Sequence, residues 1–245
     1  MSNGTLLVLG GRSDIGLATA RAFAAAGWDV QLAARDAATL EAEAKDIALR
    51  HGVAATCHEM DATDLDSHAA FYDRLSPFPQ VVVCAVGALG DQARDEADVA
   101  SATAVMRANF EGPASLLAHA ANRMEGSGTS TIVGISSVAG DRGRASNYIY
   151  GSAKAGFTAY LSGLRNRMTG KGVHVVTVKP GFVATRMTEG MDLPPVLTAT
   201  PDALGQAIFT AVAKQRDVIY VKPVWRLVMA VIRAIPEALF KKMSI

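Results

Sequence analysis

The chain has 245 residues, a length that suits one large α/β domain and is awkward for two independent ones. Half of the residues are hydrophobic, so a sizeable core can be buried, and a formal net charge of +1 without a run of Lys or Arg argues against nucleic acid as a partner. Because the chain lacks a basic, apolar leader and any apolar run of about eighteen residues, we expect a cytoplasmic protein. The two cysteines, Cys57 and Cys84, lie in apolar stretches, so neither a disulfide nor a metal site is expected.

Short apolar runs alternate with longer helical patterns along the chain. The predicted strands are Leu6–Leu9, Val30–Ala33, Ala54–His58, Val81–Ala85, Thr131–Ile135, Val173–Val178 and Val218–Val221. The predicted helices are Ile15–Ala26, Ala37–His51, Asp64–Leu75, Val99–Met124, Tyr148–Met168 and Pro201–Ala213. Continuous apolar strands are covered on both faces, so we predict an α/β fold with one Rossmann-type, doubly wound parallel sheet and helices on both faces. A single domain should span 1–245, with a mobile substrate lid around 184–200 and an apolar helical tail over 224–245.

A glycine-rich turn follows the first strand and precedes a helix. It reads Gly10-Gly11-Arg12-Ser13-Asp14-Ile15-Gly16. Glycines let the backbone turn sharply and approach a pyrophosphate, which binds the exposed N–H groups of the helix start. We interpret the segment as a phosphate-binding turn; the alternative is an ordinary turn between strand and helix. Asp14 costs some backbone freedom and could cap the helix.

The end of the second strand indicates which dinucleotide is preferred. An NAD site places a carboxylate there, whereas this chain has Ala34 followed by Arg35. A guanidinium suits the 2′-phosphate of NADP, and Arg12 can add a second charge. Arg35 could instead be a solvated residue at a helix start, and Asp36 could reach the ribose. NADP(H) is therefore favoured and NAD(H) stays open.

Four polar residues form a candidate catalytic group. Tyr150 and Lys154 are four residues apart and share one helical face, where an ammonium lowers the pKa of a phenol and tunes it as a proton donor. Ser137 follows the fifth strand, where a hydroxyl can polarise a substrate oxygen. Asn109 lies inside a helix, which asparagine disfavours. Each residue alone could be an ordinary surface or packing residue.

Taken together, these four residues resemble the catalytic tetrad of the short-chain dehydrogenase/reductase family in type, order and spacing. The turn from Gly10 to Gly16 resembles the family's Gly-x-x-x-Gly-x-Gly segment, with an aspartate in place of the middle glycine. The resemblance implies that Tyr150 is the general acid/base and that Ser137 orients the substrate oxygen. Lys154 would bind the nicotinamide ribose and lower the Tyr150 pKa, and Asn109 would hold a proton-relay water.

The resemblance also implies further cofactor contacts. Asp61 would bind the adenine amine, although it could instead share a helix N-cap with its neighbours. The backbone of Val183 and the hydroxyl of Thr185 would contact the carboxamide. The predicted cofactor-binding set is Gly10, Arg12, Ser13, Asp14, Ile15, Gly16, Arg35, Asp61, Ala62, Ala85, Gly87, Tyr150, Lys154, Pro180, Gly181, Val183 and Thr185. The family's Asn-Asn-Ala-Gly segment is replaced by Cys84-Ala85-Val86-Gly87, so another group must satisfy the local backbone.

The tail from Val224 is broadly apolar and contains Trp225 and Met229. We interpret it as a helix packed over the substrate pocket, with Pro236 starting a final short helix; the alternative is a surface that touches a membrane or a lipid chain. The tail and residues 87–91 are weakly similar to reductases of polyprenylphosphoryl keto-sugars.

The sequence thus predicts an oxidoreductase that moves a hydride between NADP(H) and a small ketone or secondary alcohol. One alternative is a reductase of a lipid-linked keto-sugar, and another is a catalytically silent dinucleotide-binding regulator. The family resemblance implies a homodimer or homotetramer paired through the helices around 99–124 and 148–168.

Overall fold

Seven strands form one parallel sheet in a computed structural model that describes residues 2–243. The strands are β1 (Thr5–Leu9), β2 (Asp29–Ala34), β3 (Ala55–Glu59), β4 (Val81–Cys84), β5 (Ser130–Ile135), β6 (Val173–Pro180) and β9 (Val218–Val221). Their order is β3-β2-β1-β4-β5-β6-β9, and every pairing is parallel. The predicted doubly wound sheet is confirmed. Met1, Ser244 and Ile245, the last two of which end the predicted tail, lie outside the described residues.

Helices cover both faces of this sheet. They are α1 (Asp14–Ala25), α2 (Glu41–His51), α3 (His68–Asp73), α4 (Gln92–Ala97), α5 (Val99–Met106), α6 (Gly112–Met124), α7 (Tyr148–Met168), α8 (Pro201–Ala213), α9 (Val224–Ala234) and α10 (Glu237–Phe240). One core cluster joins the sheet to α1 and α8 through Phe23 and Ile208. The other joins it to α6 and α7 through Leu116 and Phe157. Because helices cover both faces, the central strands β1, β4, β5 and β6 are buried almost throughout, whereas the edge strands β3 and β9 are partly exposed.

The single helix predicted over Val99–Met124 is interrupted. A π-helical turn, Arg107–Glu111, separates α5 from α6. Asn109 lies in this turn, and its Nδ2 donates to the Val105 carbonyl one turn earlier, at 2.8 Å. A side chain that competes for main-chain carbonyls loosens a helix, and single π turns are common at functional sites. Two other predicted helices start late: 3-10 turns over Ala37–Leu40 and Leu65–Ser67 precede α2 and α3.

The predicted lid is tied at its two ends by a small parallel sheet that the sequence patterns did not indicate. It pairs β7 (Phe182–Val183) with β8 (Thr198–Ala199). Between these strands lies a single 3-10 turn, Arg186–Thr188, and exposed Met187 and Met191. The mobility of this segment stays a prediction.

The tail forms α9 and α10, with Pro236 directly before α10. Trp225 and Met229 pack against Val138 of the body, as the first of the two interpretations requires. Arg142 anchors the far end of the tail by donating to the carbonyls of Ile232 and Ile235. Contact with a lipid stays a prediction, and no helix within residues 2–243 is long and apolar enough to cross a membrane.

Candidate active site

The glycine-rich turn packs directly against the end of β4. Gly10 has φ +86°, and a Cβ there would lie 2.9 Å from the Ala85 backbone, so only glycine allows this approach. Ser13 caps α1, because its Oγ accepts from the Gly16 N–H at 2.9 Å and donates to the Gly10 carbonyl. The helix start is thereby held open toward a ligand, and this cradle fits a pyrophosphate.

Asp14 does not cap α1; it is the first residue of that helix, so it needs no glycine-like conformation. Its carboxylate accepts hydrogen bonds from the Arg186 backbone N–H at 2.8 Å and from Arg186 Nε at 2.9 Å. Arg186 also donates to the Arg12 carbonyl. The residue that departs from the family's turn therefore joins that turn to the segment that follows Thr185.

The adenosine end of the site lies beside the ends of β2 and β3. The Arg35 side chain is exposed, and no hydrogen bond or ion pair with it is formed by the part of the chain that the structure describes. Asp61 accepts from the Thr63 N–H and hydroxyl, both at 2.8 Å, which together with the nearby Arg35 charge lowers the pKa of Asp61. Asp36 is paired with Arg12 at 3.3 Å. The end of β2 is thus followed by an exposed cation, Arg35, and its contact with a ribose phosphate stays a prediction.

One pocket brings the four catalytic candidates together. Asn109, Ser137, Tyr150 and Lys154 all line it. Nine residues of the predicted cofactor-binding set line the same pocket, namely Ile15, Ala85, Gly87, Tyr150, Lys154, Pro180, Gly181, Val183 and Thr185. The remaining members lie outside its lining: Gly10, Arg12, Ser13, Asp14 and Gly16 in the adjoining turn, and Arg35, Asp61 and Ala62 at the adenosine end.

Burial dominates the electrostatics of Tyr150 and Lys154. Burial raises the pKa of Tyr150 to about 12, and only a hydrogen bond with Ser137 opposes that rise, so the phenol is protonated at neutral pH. Burial lowers the pKa of Lys154 to about 8, because desolvation disfavours the ammonium. Lys154 Nζ lies 5.7 Å from the Tyr150 ring centre and donates to the Ile135 carbonyl at 3.1 Å. The expectation that Lys154 lowers the Tyr150 pKa stays a prediction.

Asn109 is fully buried and binds the backbone directly after the Cys84–Gly87 segment. Its Nδ2 donates to the Ala88 carbonyl at 2.6 Å, and its Oδ1 accepts from the Ala88 N–H at 3.3 Å. Both backbone groups of Ala88 are thus satisfied from the π-helical turn. The water-holding role of Asn109 stays a prediction.

The two predicted carboxamide contacts follow Gly181: Val183 ends β7, and Thr185 lies two residues further along the chain. The Val183 carbonyl accepts a hydrogen bond from the Thr188 hydroxyl at 2.7 Å. Thr185 lines the pocket and forms a reciprocal cap with Thr188. Trp225 packs flat against Gly181, where a Cβ would meet the indole at 2.0 Å, so the tail closes this side of the pocket.

Sequence reasoning missed polar residues of the pocket and a buried ion pair. Arg144 and Asn147, between Ser137 and Tyr150, line the pocket, as does Met191 of the predicted lid. Their position between two catalytic candidates was the available signal for the first two.

The buried ion pair lies just behind the Ser137 turn. Lys179 donates to Asp141 Oδ1, and the Tyr220 hydroxyl donates to Asp141 Oδ2 at 2.8 Å. The Asp141 side chain is 3% exposed and that of Lys179 is 10% exposed. The loop after β5 is therefore fixed to β6 and β9 by a nearly dry pair of charges.

The family model of the short chain dehydrogenases matches residues 4–193. Together with the parallel sheet and the pocket that gathers the four catalytic candidates, this match shows that the chain belongs to the short-chain dehydrogenase/reductase family and is an NAD(P)-dependent dehydrogenase or reductase.

Similar proteins and similar solved structures align with nearly the whole of this chain. An uncharacterized oxidoreductase of Mycobacterium tuberculosis is 38% identical over 97% of this chain and 96% of its own length. Another, from Streptomyces coelicolor, is 39% identical over 98% and 96%. A short-chain dehydrogenase from Sphingobium yanoikuyae, solved with NADPH, superposes with a TM-score of 0.81 at 26% identity, covering 96% of this chain and 97% of that one.

Proposed function

We propose that this enzyme reduces a ketone to a secondary alcohol with NADPH. The observation that carries the proposal is a buried phenol, Tyr150, hydrogen bonded to Ser137 in a pocket whose walls are mainly apolar. The Tyr150 pKa of about 12 keeps the hydroxyl protonated at neutral pH, which suits proton donation better than proton removal.

The chain's own residues have distinct tasks in this reaction. Ser137 donates a hydrogen bond to the substrate carbonyl oxygen, and Tyr150 transfers its proton as that oxygen becomes an alkoxide. The bound dinucleotide supplies the hydride. Lys154, buried behind Tyr150, places a positive charge near the proton that passes from the phenol to the substrate oxygen. Such a charge stabilises the developing negative charge more strongly in a site without water. Asn109 fixes the segment through Gly87 against which the ring of the cofactor would lie.

The reaction is tested by following the consumption of NADPH with a panel of ketones as the pH is varied. Lys154 is charged below its pKa of about 8 and loses the charge as the pH rises through that value. We therefore expect kcat/KM for reduction to fall above about pH 8. In Lys154→Arg, whose guanidinium stays charged, the rate is lower and this alkaline decline is absent. A wild-type profile that is flat or rising from pH 7 to pH 10 would contradict the assigned role.

NADP(H) is the proposed cofactor because Arg35 is an exposed cation without a partner in the described part of the chain. The Sphingobium relative, which was solved with NADPH, supports this preference. Replacing Arg35 with alanine is expected to raise the Kd for NADPH by roughly tenfold to a hundredfold, as expected for a lost charged hydrogen bond, and to leave that for NADH within about twofold. Calorimetric titration measures both constants, and Arg50→Ala on exposed α2 is the matched control. Equal losses for the two cofactors would contradict the role of Arg35.

A homodimer or homotetramer is proposed on the family resemblance. Val99, Met106, Phe110 and Tyr148 on the helices named for pairing are large and exposed, which supports this arrangement.

A further inference from the structure

Two polar side-chain atoms in the pocket wall are buried without partners. Arg144 Nε and Asn147 Oδ1 have no hydrogen-bond partner among residues 2–243, and both residues line the pocket that holds Ser137 and Tyr150. An unsatisfied buried polar atom costs about 1–3 kcal/mol, and more when the group is charged. Two such atoms in the lining of one pocket indicate that a ligand satisfies them.

The charge of the pocket also indicates a ligand. Its described lining contains two cations, Lys154 and Arg144, and no Asp or Glu. Burial alone lowers the pKa of Arg144, since no carboxylate acts on it. The guanidinium stays charged at neutral pH, so the pocket carries an uncompensated positive charge that an anion would balance.

A neighbouring arginine on the same loop shows the contrast. Arg142 forms its contacts with the tail. It donates to the carbonyls of Ile232 and Ile235. Its guanidinium also pairs with Glu237 at 2.9 Å and lies 3.7 Å from the Phe240 ring centre. Arg144 makes none of these contacts. Contacts with the tail therefore explain why Arg142 is on this loop, whereas Arg144 remains available to a ligand in the pocket.

Arg144 lies on the substrate side of the site. The loop that carries it joins β5 to α7, beside Ser137, whereas the adenosine end lies at β2 and β3, on the other side of β1 and β4 in the sheet. Leu89, Met187 and Trp225 supply apolar wall around it. A cofactor phosphate held at the α1 start is bound from the opposite side.

We propose that Arg144 is the anion receptor of the substrate site, and that the substrate is a ketone carrying a carboxylate or phosphate group. Arg144 binds that oxyanion through its fork of N–H donors, and Asn147 accepts a hydrogen bond from a hydroxyl of the same molecule. The reacting carbonyl lies at Ser137 and Tyr150, and the apolar wall covers the carbon skeleton. This assignment rests on the proposed ketone reduction and specifies its substrate class.

The test compares matched pairs of acidic and neutral ketones. Levulinate is paired with its methyl ester, and dihydroxyacetone phosphate with dihydroxyacetone, so that the two pairs separate a carboxylate from a phosphate. In the wild type the acid of at least one pair should have a kcat/KM about 10- to 100-fold above its neutral partner, the range of a hydrogen bond to a charged group. In Arg144→Gln that ratio should fall to about one, mainly through KM. Arg144→Lys, which keeps the charge without the fork, should be intermediate.

Binding to the NADP⁺-loaded protein is measured for the same pairs by calorimetry. Arg21→Gln, an exposed arginine on α1, controls for the lost charge and should keep the wild-type ratio. Acids that bind the wild type no more tightly than their neutral partners, or an acid preference that survives in Arg144→Gln, would overturn the anion receptor. Preference for acids in binding, with no ketone reduced by either cofactor, would instead overturn the proposed reaction and leave the receptor standing.

Discussion

Replacing Tyr150 with phenylalanine is expected to lower kcat for ketone reduction by about 10²- to 10⁴-fold, the usual contribution of a positioned general acid. The substitution removes only the hydroxyl that is bonded to Ser137 and keeps the ring. Cofactor binding should change far less than kcat, because Gly10, Arg12 and Arg35 of the predicted cofactor-binding set do not line the pocket that holds Tyr150. Stopped-flow measurement of NADPH oxidation at saturating ketone gives the rate, and fluorescence titration gives the Kd.

Tyr148→Phe is the matched control for this variant. Tyr148 lies two residues earlier on α7, is 45% exposed and does not line the pocket. This variant also loses one phenol hydroxyl. Because that hydroxyl lies outside the pocket, the variant's kcat should stay within about twofold of the wild type. If Tyr150→Phe keeps more than about a tenth of the wild-type kcat, the hydroxyl is not the proton donor and the mechanism proposed here is wrong.

Replacing Asp141 with alanine is expected to destabilise the protein by about 3 kcal/mol, because it leaves the Lys179 ammonium buried without its partner. Tyr220 loses its acceptor at the same time. For a chain of this size the midpoint of thermal unfolding should fall by roughly 6–12 °C. The turn that carries Ser137 is then released from β6, so KM for the ketone should also rise. Calorimetry and the NADPH assay measure the two effects.

A double variant separates the charge from the packing. Lys179→Met with Asp141→Asn removes both charges and keeps an acceptor for the Tyr220 hydroxyl, so most of the lost stability should return. An unfolding midpoint of Asp141→Ala within about 2 °C of the wild type would show that the pair contributes nothing. A double variant that is less stable than Asp141→Ala would show that the loss does not come from the unpaired Lys179 ammonium.

The predicted strands and most of the helices agree with the structure because their signals are local. A buried parallel strand needs a continuous apolar run, and a helix such as α7 needs periodic apolar positions. The tetrad was found for the same reason. Tyr150 and Lys154 share a helix face at a fixed spacing, and Ser137 follows a strand that local composition already marks.

Predictions failed where a distant group competes with a local preference. The pattern over Val99–Met124 predicts one helix, yet Asn109 reaches a neighbouring segment and opens a π-helical turn. Asp14 reads locally as a helix cap, yet its carboxylate is taken by Arg186, 172 residues away along the chain. Helical periodicity contains no information about either contact.

The sequence by itself determined the fold class and the family resemblance of the glycine-rich turn and the four catalytic candidates, since both depend on residue type, order and spacing. Only the tertiary structure decided the electrostatics of the pocket. The Tyr150 pKa is raised because the folded pocket desolvates the phenol, which the helix spacing does not reveal. Asp141 is tied to β6 and β9, whereas Arg144 Nε has no hydrogen-bond partner in the described chain, because desolvation and long-range pairing exist only once the strands have met.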